Sequence, residues 1–402
     1  MPSMSVIASP LDRLLTELSD ELRLLDAAAL RRQLISIEAV DGPLVQFGGR
    51  KLVCWCANDY LGLSTHPRLV AAATTAASEW GLGARASRLL AGTTIWHTRL
   101  ERALADWFGA EDAIVFPSGY LTNLGTLGAL LSSDDLVIVD RLVHASLLDA
   151  ARASRATLKV FHHNDAAHLA QLLSRTPSGR RRLIVTEGVF SMDGDLAPLR
   201  DLLAVVEAHE AMLYVDDAHG SFVLGEQGRG TPAALGVSHA RFLYMGTLGK
   251  ALGCQGGFLV GPSPLIEWLR NRARPFIYST ALATPLAAAA VEALQVLRDE
   301  PQRRRQLHER VDRLRTQLAR HGASTIHVPS HIVPIHLGET PRALEIAQRL
   351  FEQGHWAPAI RPPTVPQGTA RLRLSLSALH TEAHIDSLAQ LLADELRQPR
   401  VG

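Results

Sequence analysis

Short apolar runs alternate with helical patterns through the middle of this 402-residue chain. The runs are Ala113–Phe116, Leu136–Val139, Leu158–Phe161, Leu183–Thr186, Met212–Val215, Phe242–Met245 and Phe258–Val260. Each reads as a buried strand, because a strand covered on both faces is continuously apolar rather than alternating. Strands that alternate with helices imply crossover units, and so an α/β fold built on a mostly parallel, seven-stranded sheet. Upstream, leucines from Leu11 to Leu34 keep the spacing of a single apolar helix face and predict one or two helices. Gly42–Leu52 reads as a hairpin around F-G-G-R, and the helical pattern from Trp96 to Phe108 stops at Gly109, a C-cap residue.

Past residue 300 the pattern changes. A charged helix, Arg303–Arg320, is followed by strand-like Ile332–His336, a helix over Pro341–Gln353, strand-like Arg371–Leu376 and a closing helix from Thr381. The expected organisation is a helical segment and hairpin over 1–55, a large domain over 56–299 and a smaller α+β domain over 300–402. The polar stretch Thr176–Arg182 reads as a solvated turn ahead of a strand.

Composition narrows the class. With 41 basic against 40 acidic residues, the chain has no electrostatic footprint for nucleic acid or a membrane surface. The alanine-rich stretch Ala281–Leu297 is interrupted by Pro285 and Glu292, and no apolar run reaches membrane-spanning length. The N-terminus shows no basic patch leading into an apolar core, so a cytoplasmic enzyme is expected. Three cysteines cannot build a disulfide framework, and Cys54 and Cys56 sit in an alternating K-L-V-C-W-C-A that reads as strand, with buried thiols.

The candidate chemistry lies at two strand ends. L-Y-V-D-D-A-H-G (Leu213–Gly220) delivers acids and a histidine, and Y-M-G-T-L-G-K (Tyr244–Lys250) delivers a lysine flanked by glycine. This set suits pyridoxal phosphate: Lys250 forms a Schiff base with the aldehyde, and an aspartate partners the pyridinium nitrogen. Asp216 and Asp217 are consecutive on a strand and point to opposite sides, so only one faces the cofactor; Asp216 is chosen. His219 would donate to the phenolic oxygen. F-P-S-G-Y-L-T-N (Phe116–Asn123) follows a strand and opens a helix, whose N-terminus makes Gly119 and Tyr120 phosphate candidates, with the Thr247 hydroxyl a further donor. His144, just past the strand Leu136–Val139, is placed to stack on the ring. A D-D-x-H metal site is the rival reading of Asp216–His219, without further carboxylates or histidines at ligand spacing. A nicotinamide dehydrogenase is disfavoured because no G-x-G-x-x-G follows the first strand.

These residues resemble the α-oxoamine synthase family of fold-type I pyridoxal-phosphate transferases, and in particular its biotin-synthesis branch. The resemblance runs from N-D-Y-L-G-L (Asn58–Leu63) almost to the C-terminus. It includes D-R-L-V-H-A-S-L-L (Asp140–Leu148), T-E-G-V-F-S-M-D-G-D (Thr186–Asp195), V-D-D-A-H-G (Val215–Gly220) and G-E-Q-G-R-G (Gly225–Gly230). T-L-G-K-A-L-G (Thr247–Gly253), I-Y-S-T (Ile277–Thr280) and I-R-P-P-T-V-P-Q-G-T-A-R-L-R (Ile360–Arg373) complete it.

The resemblance implies that Lys250, Asp216 and His144 are catalytic. It places Gly119, Tyr120, Ser191, His219, Thr247 and Thr280 on the cofactor, Thr280 reaching it in a neighbouring subunit of a homodimer. It assigns Arg361, Thr364 and Asn58 to the substrate site, with Arg31 meeting the far carboxylate of a pimeloyl chain. The implied reaction is a decarboxylative condensation of L-alanine with a pimeloyl thioester carried by coenzyme A or an acyl carrier protein. Glycine or serine in place of alanine, with other acyl thioesters, defines the neighbouring branches: glycine C-acetyltransferase, 5-aminolevulinate synthase and serine palmitoyltransferase. Two departures stand out. The family has a glycine-rich run where this chain reads G-A-R-A-S-R (Gly83–Arg88), and a smaller residue where Trp96 precedes His97.

Overall fold

The computed structural model describes residues 9–176, 181–238, 241–322 and 329–397. Helix α1 (Pro10–Ala27) opens with a capping box: the Ser9 hydroxyl accepts from the Asp12 N–H, and the Asp12 carboxylate accepts from the Ser9 N–H. The helix ends well short of Leu34, because Ala29 takes a left-handed backbone and the chain beyond is extended. None of its residues is buried, and the predicted leucine stripe (Leu11, Leu14, Leu15, Leu18, Leu22) lies open to solvent.

Three strands follow, β1 (Ala39–Asp41), β2 (Leu44–Phe47) and β3 (Arg50–Cys54), the last two forming the predicted hairpin. Helix α2 (Pro67–Trp80) and helix α3 (Ile95–Phe108) come next, and Gly109 closes α3 in the left-handed conformation that glycine adopts without a Cβ penalty.

The central sheet contains β4 (Asp112–Phe116), β5 (Leu136–Asp140), β6 (Thr157–Phe161), β7 (Arg182–Glu187), β8 (Met212–Asp216), β9 (Leu243–Thr247) and β10 (Gly257–Gly261). Its order is β4-β10-β9-β8-β7-β5-β6. Strand β10 runs antiparallel to both β9 and β4, while β5 through β9 are mutually parallel. Two reversals cancel, so β4 points the same way as β5–β9, and six C-terminal strand ends share one edge. That edge is where an open α/β sheet collects its ligand-binding groups. Helices α4 (Gly119–Leu130) and α5 (Ala145–Ala153) start there. Every residue of β5 is buried, as a sheet covered on both faces requires.

The C-terminal part holds a helix over Gln302–Arg320, then β11 (Ile332–Gly338), a helix over Thr340–Glu352, β12 (His355–Trp356), β13 (Ala359–Ile360), β14 (Ala370–Ser375) and a helix over Glu382–Arg397. Strands β11, β14 and β13 form an antiparallel sheet; β12 instead pairs in parallel with β3 and ties the N-terminal hairpin to this region. The turn read over Thr176–Arg182 lies, in 177–180, outside the described residues. The alanine-rich stretch forms a packed helix, Thr284–Asp299, whose small side chains let it lie closely against α2 and α3. No described helix is long and apolar enough to cross a membrane.

Candidate active site

The C-terminal edge of the sheet gathers the candidate residues into one cavity. It is lined by Gly119 and Tyr120 from the start of α4, His144 from the cap of α5, Asp216 at the end of β8 and His219 beyond it, and Thr247 at the end of β9 and Lys250 beyond it. Its volume is about 180 Å³. A larger cavity of about 460 Å³ opens at the other end of α4, among Arg181, Arg272, Arg274 and Trp268. Its lining has no carboxylate, histidine or lysine, so the candidate chemistry belongs to the smaller one.

Lys250 is half-buried, and its Nζ lies 2.7 Å from His219 Nε2. Burial pulls its amine down from the usual lysine value to about 8, against the charges of Asp216 and Glu187, which favour the protonated form. The loop that presents it turns at Gly253, whose N–H donates to the Lys250 carbonyl at 2.9 Å. Gly253 has φ +63°, and a Cβ there would stand 2.3 Å from the Ser64 backbone nitrogen, so the loop needs glycine both for its turn and for its packing.

Asp216 ends β8 with its carboxylate in the cavity, where it accepts from Asn123 Nδ2 at 2.8 Å and from the Ala218 N–H at 3.0 Å. Asp217 points away, as the strand alternation predicts. It accepts from the Thr231 N–H, the Thr231 hydroxyl and the Tyr244 hydroxyl at 2.6–2.8 Å. Gly188, Gly220 and Gly230 wall it in, since a Cβ on any of them would fall within 2.2 Å of its oxygens. Burial pushes the Asp217 acid up to about 7. The two aspartates and His219 therefore do not converge on a common point, which removes the geometry of the D-D-x-H metal reading.

His144 caps α5, with its ring Nδ1 2.8 Å from the Ser146 hydroxyl and its N–H donating to Glu187 Oε1 at 2.5 Å. Burial lowers its basicity, against the pull of Asp216. Glu187 is pushed far above the usual carboxyl range by burial beside Asp216, in the wall of the cavity. At the other wall, α4 begins with a Ser118 side-chain cap to the Leu121 N–H. A Cβ on Gly119 would reach within 3.1 Å of Met245 Cε and 3.6 Å of Thr247 Oγ1, so the absent side chain leaves the helix N-terminus open beside a hydroxyl. Tyr120 donates its hydroxyl to Asp149 at 2.6 Å.

Six predicted residues do not line this cavity. Asn58 is two hydrogen bonds away: its Oδ1 accepts from Tyr60 at 3.0 Å and from Arg373 at 3.3 Å, and the Tyr60 hydroxyl meets His219. Ser191 offers its carbonyl to Arg373. Arg361 donates to the Arg31 carbonyl at 2.7 Å, and Thr364 accepts from the neighbouring Arg32 at 2.9 Å, so these form a second group. The Arg31 side chain itself pairs with Asp26. Thr280 is exposed, bridged to Ser87 in the same G-A-R-A-S-R segment where Arg85 adopts φ +65°.

The reading of the sequence passed over Asn123, Ser146, Glu187, Tyr60 and Arg373. A signal was present for Asn123: it lies four residues beyond Gly119 on one helix, hence on the same face.

A lysine of lowered basicity, an anchored carboxylate, a histidine and an open helix N-terminus on one sheet edge define a fold-type I pyridoxal-phosphate enzyme. The family model "Aminotransferase class I and II" matches residues 50–392, and within that family the chain belongs to the α-oxoamine synthases. It is 50% identical to the 8-amino-7-oxononanoate synthase of Anaeromyxobacter dehalogenans (strain 2CP-1 / ATCC BAA-258), across 93% of this chain and 94% of that one. It is 45% identical to the enzyme of that name from Herminiimonas arsenicoxydans, across 93% and 98%. Among solved structures, a variant serine palmitoyltransferase from S. paucimobilis with a bound PLP-myriocin aldimine superposes with a TM-score of 0.91 at 32% identity, across 97% and 99%. The 8-amino-7-oxononanoate synthase of Francisella tularensis superposes at 0.74 with 28% identity, across 86% and 98%.

Proposed function

We propose that this chain condenses L-alanine with a pimeloyl thioester, releasing carbon dioxide and the free thiol, to give 8-amino-7-oxononanoate for biotin synthesis. The carrying observation is the Lys250–His219–Asp216 edge, in a chain 44–50% identical to enzymes of that name across at least 93% of its length. Pyridoxal 5′-phosphate is the cofactor, and the donor set fits it. Lys250 would hold the aldehyde carbon, Asp216 the ring nitrogen, His144 a ring face and His219 the phenolic oxygen. Gly119, Tyr120 and Thr247 would hold the phosphate, with Thr280 reaching it from a second copy in a homodimer, and Ser191 would complete the cofactor set. When bound, the cofactor supplies an electron sink for the α-carbon of the amino acid.

The chain's own residues do the rest. Above about pH 8 the Lys250 amine is unprotonated and free to take the α-proton and return one to the product. Asp216, anchored by Asn123, stays in place as the counter-charge for a protonated ring nitrogen. Arg361, Thr364 and Asn58 would receive the carboxylate of alanine, and Arg31 the far carboxylate of the acyl chain. The acyl carrier is coenzyme A or a carrier protein, and the setting is the cytoplasm.

A second reading, serine palmitoyltransferase, draws on the higher TM-score of 0.91. A backbone shared across the family does not select the amino acid, and identity there falls to 32%. Borohydride reduction tests the common core of both readings. The chain has three lysines, Lys51, Lys159 and Lys250. Peptide mapping should find the reduced cofactor on Lys250; label on either of the others overturns the assignment.

A further inference from the structure

His219 lies at the centre of a chain of polar groups that runs behind the face it turns to the cofactor. Its Nε2 faces Lys250 Nζ at 2.7 Å, and its Nδ1 lies 2.6 Å from the Tyr60 hydroxyl. Tyr60 is fully buried. Its hydroxyl is also 3.0 Å from Asn58 Oδ1 and takes a longer hydrogen bond from Arg373 Nη2 at 3.3 Å. Arg373 donates from Nη1 to Asn58 Oδ1 as well, which fixes that end of the amide as the acceptor. The remaining neighbour is His331, fully buried, with its ring edge-on to the Tyr60 ring at 3.9 Å.

The proton count is the point. Burial, with Lys250 and Arg373 nearby, keeps His219 neutral, and burial keeps Tyr60 protonated. His219 thus has one ring proton for two nitrogens, and Tyr60 has one proton for two acceptors, Asn58 Oδ1 and His219 Nδ1. When Nε2 faces a donor such as an amine N–H, the ring proton must lie on Nδ1; Tyr60 accepts it and donates to Asn58. When Nε2 faces an acceptor, the ring proton moves to Nε2, and the Tyr60 hydroxyl turns to donate to Nδ1. Both arrangements leave every member of the Tyr60–His219–Asn58 set paired, which a buried network requires.

We propose that Tyr60 is a positioning residue that sets which nitrogen of His219 carries the proton, letting His219 accept from the free Lys250 amine and donate to the phenolic oxygen of the bound cofactor. The proposal rests on the pyridoxal-phosphate reading of the site. Asn58 and Arg373 belong to the device, one as the alternative acceptor and the other as the group that orients it. No bond between heavy atoms changes: the Nδ1–H bond of the ring breaks and an Nε2–H bond forms, so its proton count is unchanged, and the Tyr60 hydroxyl rotates.

The test uses the holoenzyme and the pH midpoint of the bound cofactor's visible band. A hydrogen bond donated to the phenolic oxygen stabilises its negative charge and makes the adjoining nitrogen easier to deprotonate. Tyr60→Phe keeps the shape but removes the hydroxyl that supports the Nε2–H form, so the midpoint should rise by about 0.5–1 unit. Asn58→Asp offers Tyr60 a stronger acceptor and draws its proton away from His219, so it should move the midpoint the same way while the tyrosine is retained. A midpoint unchanged in both variants, with the band itself intact, overturns the proposal. If the wild-type protein takes up no cofactor and shows no band, the functional reading itself fails, which is a separate outcome.

Discussion

Asn123 donates its side-chain amide to Asp216 at 2.8 Å, while its own carbonyl accepts from the Tyr214 hydroxyl at 2.7 Å. The carboxylate that is to hold a charge on the cofactor is thus clamped by a residue of α4 that is itself tied to Tyr214, two residues back on the same strand. Asp216→Asn would retain the shape and lose the charge. Exchange of the alanine α-proton with solvent deuterium should fall about a hundred- to a thousand-fold, a loss of roughly 3–4 kcal/mol in transition-state stabilisation. Asp217→Asn, on the far side of the strand, should leave exchange nearly intact and lower thermal stability, since its three donors then meet a poorer acceptor. A greater loss of exchange in Asp217→Asn than in Asp216→Asn would reverse the choice between them.

Cofactor capture by the apoprotein should depend on pH through Lys250. The unprotonated amine is the reactive form, and its folded value is about 8 rather than the usual 10.5. The second-order rate constant for capture should therefore rise through pH 8 and level off above it. A rise that continues toward pH 10 would mean that burial does not depress this amine.

A stability prediction concerns His163, outside the cavity. Its ring lies between Asp140 and Asp195 at 2.9 and 2.8 Å; burial works against its charge, but the two carboxylates prevail and raise it to about 9. A raised histidine stabilises the fold fully below its unfolded value near 6.5, and the contribution is lost as pH climbs through 9. Unfolding free energy should fall by on the order of 2–3 kcal/mol between pH 6 and 10 from this group. His163→Gln should be less stable at pH 6 and should flatten that part of the profile. An unaltered profile in denaturant titrations at the two pH values would show that the clamp contributes nothing.

Arg31→Ala should raise the KM for a pimeloyl thioester about ten- to a hundred-fold, and that for alanine much less, because a charge-assisted hydrogen bond contributes roughly 1.5–3 kcal/mol. Its present partner, Asp26, is about half exposed, as is Arg31 itself, so the guanidinium gives up little to turn toward a ligand. Equal effects on both substrates would place Arg31 outside the acyl site. Arg32, whose guanidinium reaches Thr364, would then be the residue to examine.

The seven sheet strands were legible because most are short runs with no polar face, a pattern with few other solutions; the edge strand β6 is the exception, with Lys159 in its middle. So was the meeting of Lys250, Asp216 and His219 in one cavity, since their motifs leave the ends of neighbouring strands. The end of α1 was not legible: the leucine spacing continues to Leu34, but Ala29 leaves the helix, and no alanine announces a left-handed turn. Strands β12 and β13 are two residues each, too short to carry a pattern of their own, and β12 exists through pairing with distant β3. Glu187 was hidden for a related reason. Its strand reads as apolar, and only the folded sheet shows the last residue turned into the cavity beside Asp216.

The most direct measurement of the central claim is a product assay with the pyridoxal-phosphate-loaded protein, carboxyl-labelled amino acids and pimeloyl thioester. The account predicts labelled carbon dioxide released in step with 8-amino-7-oxononanoate from L-alanine, and little turnover of glycine or serine with the same donor. Preferred use of serine with a long-chain acyl thioester, or of glycine with a short one, would contradict it.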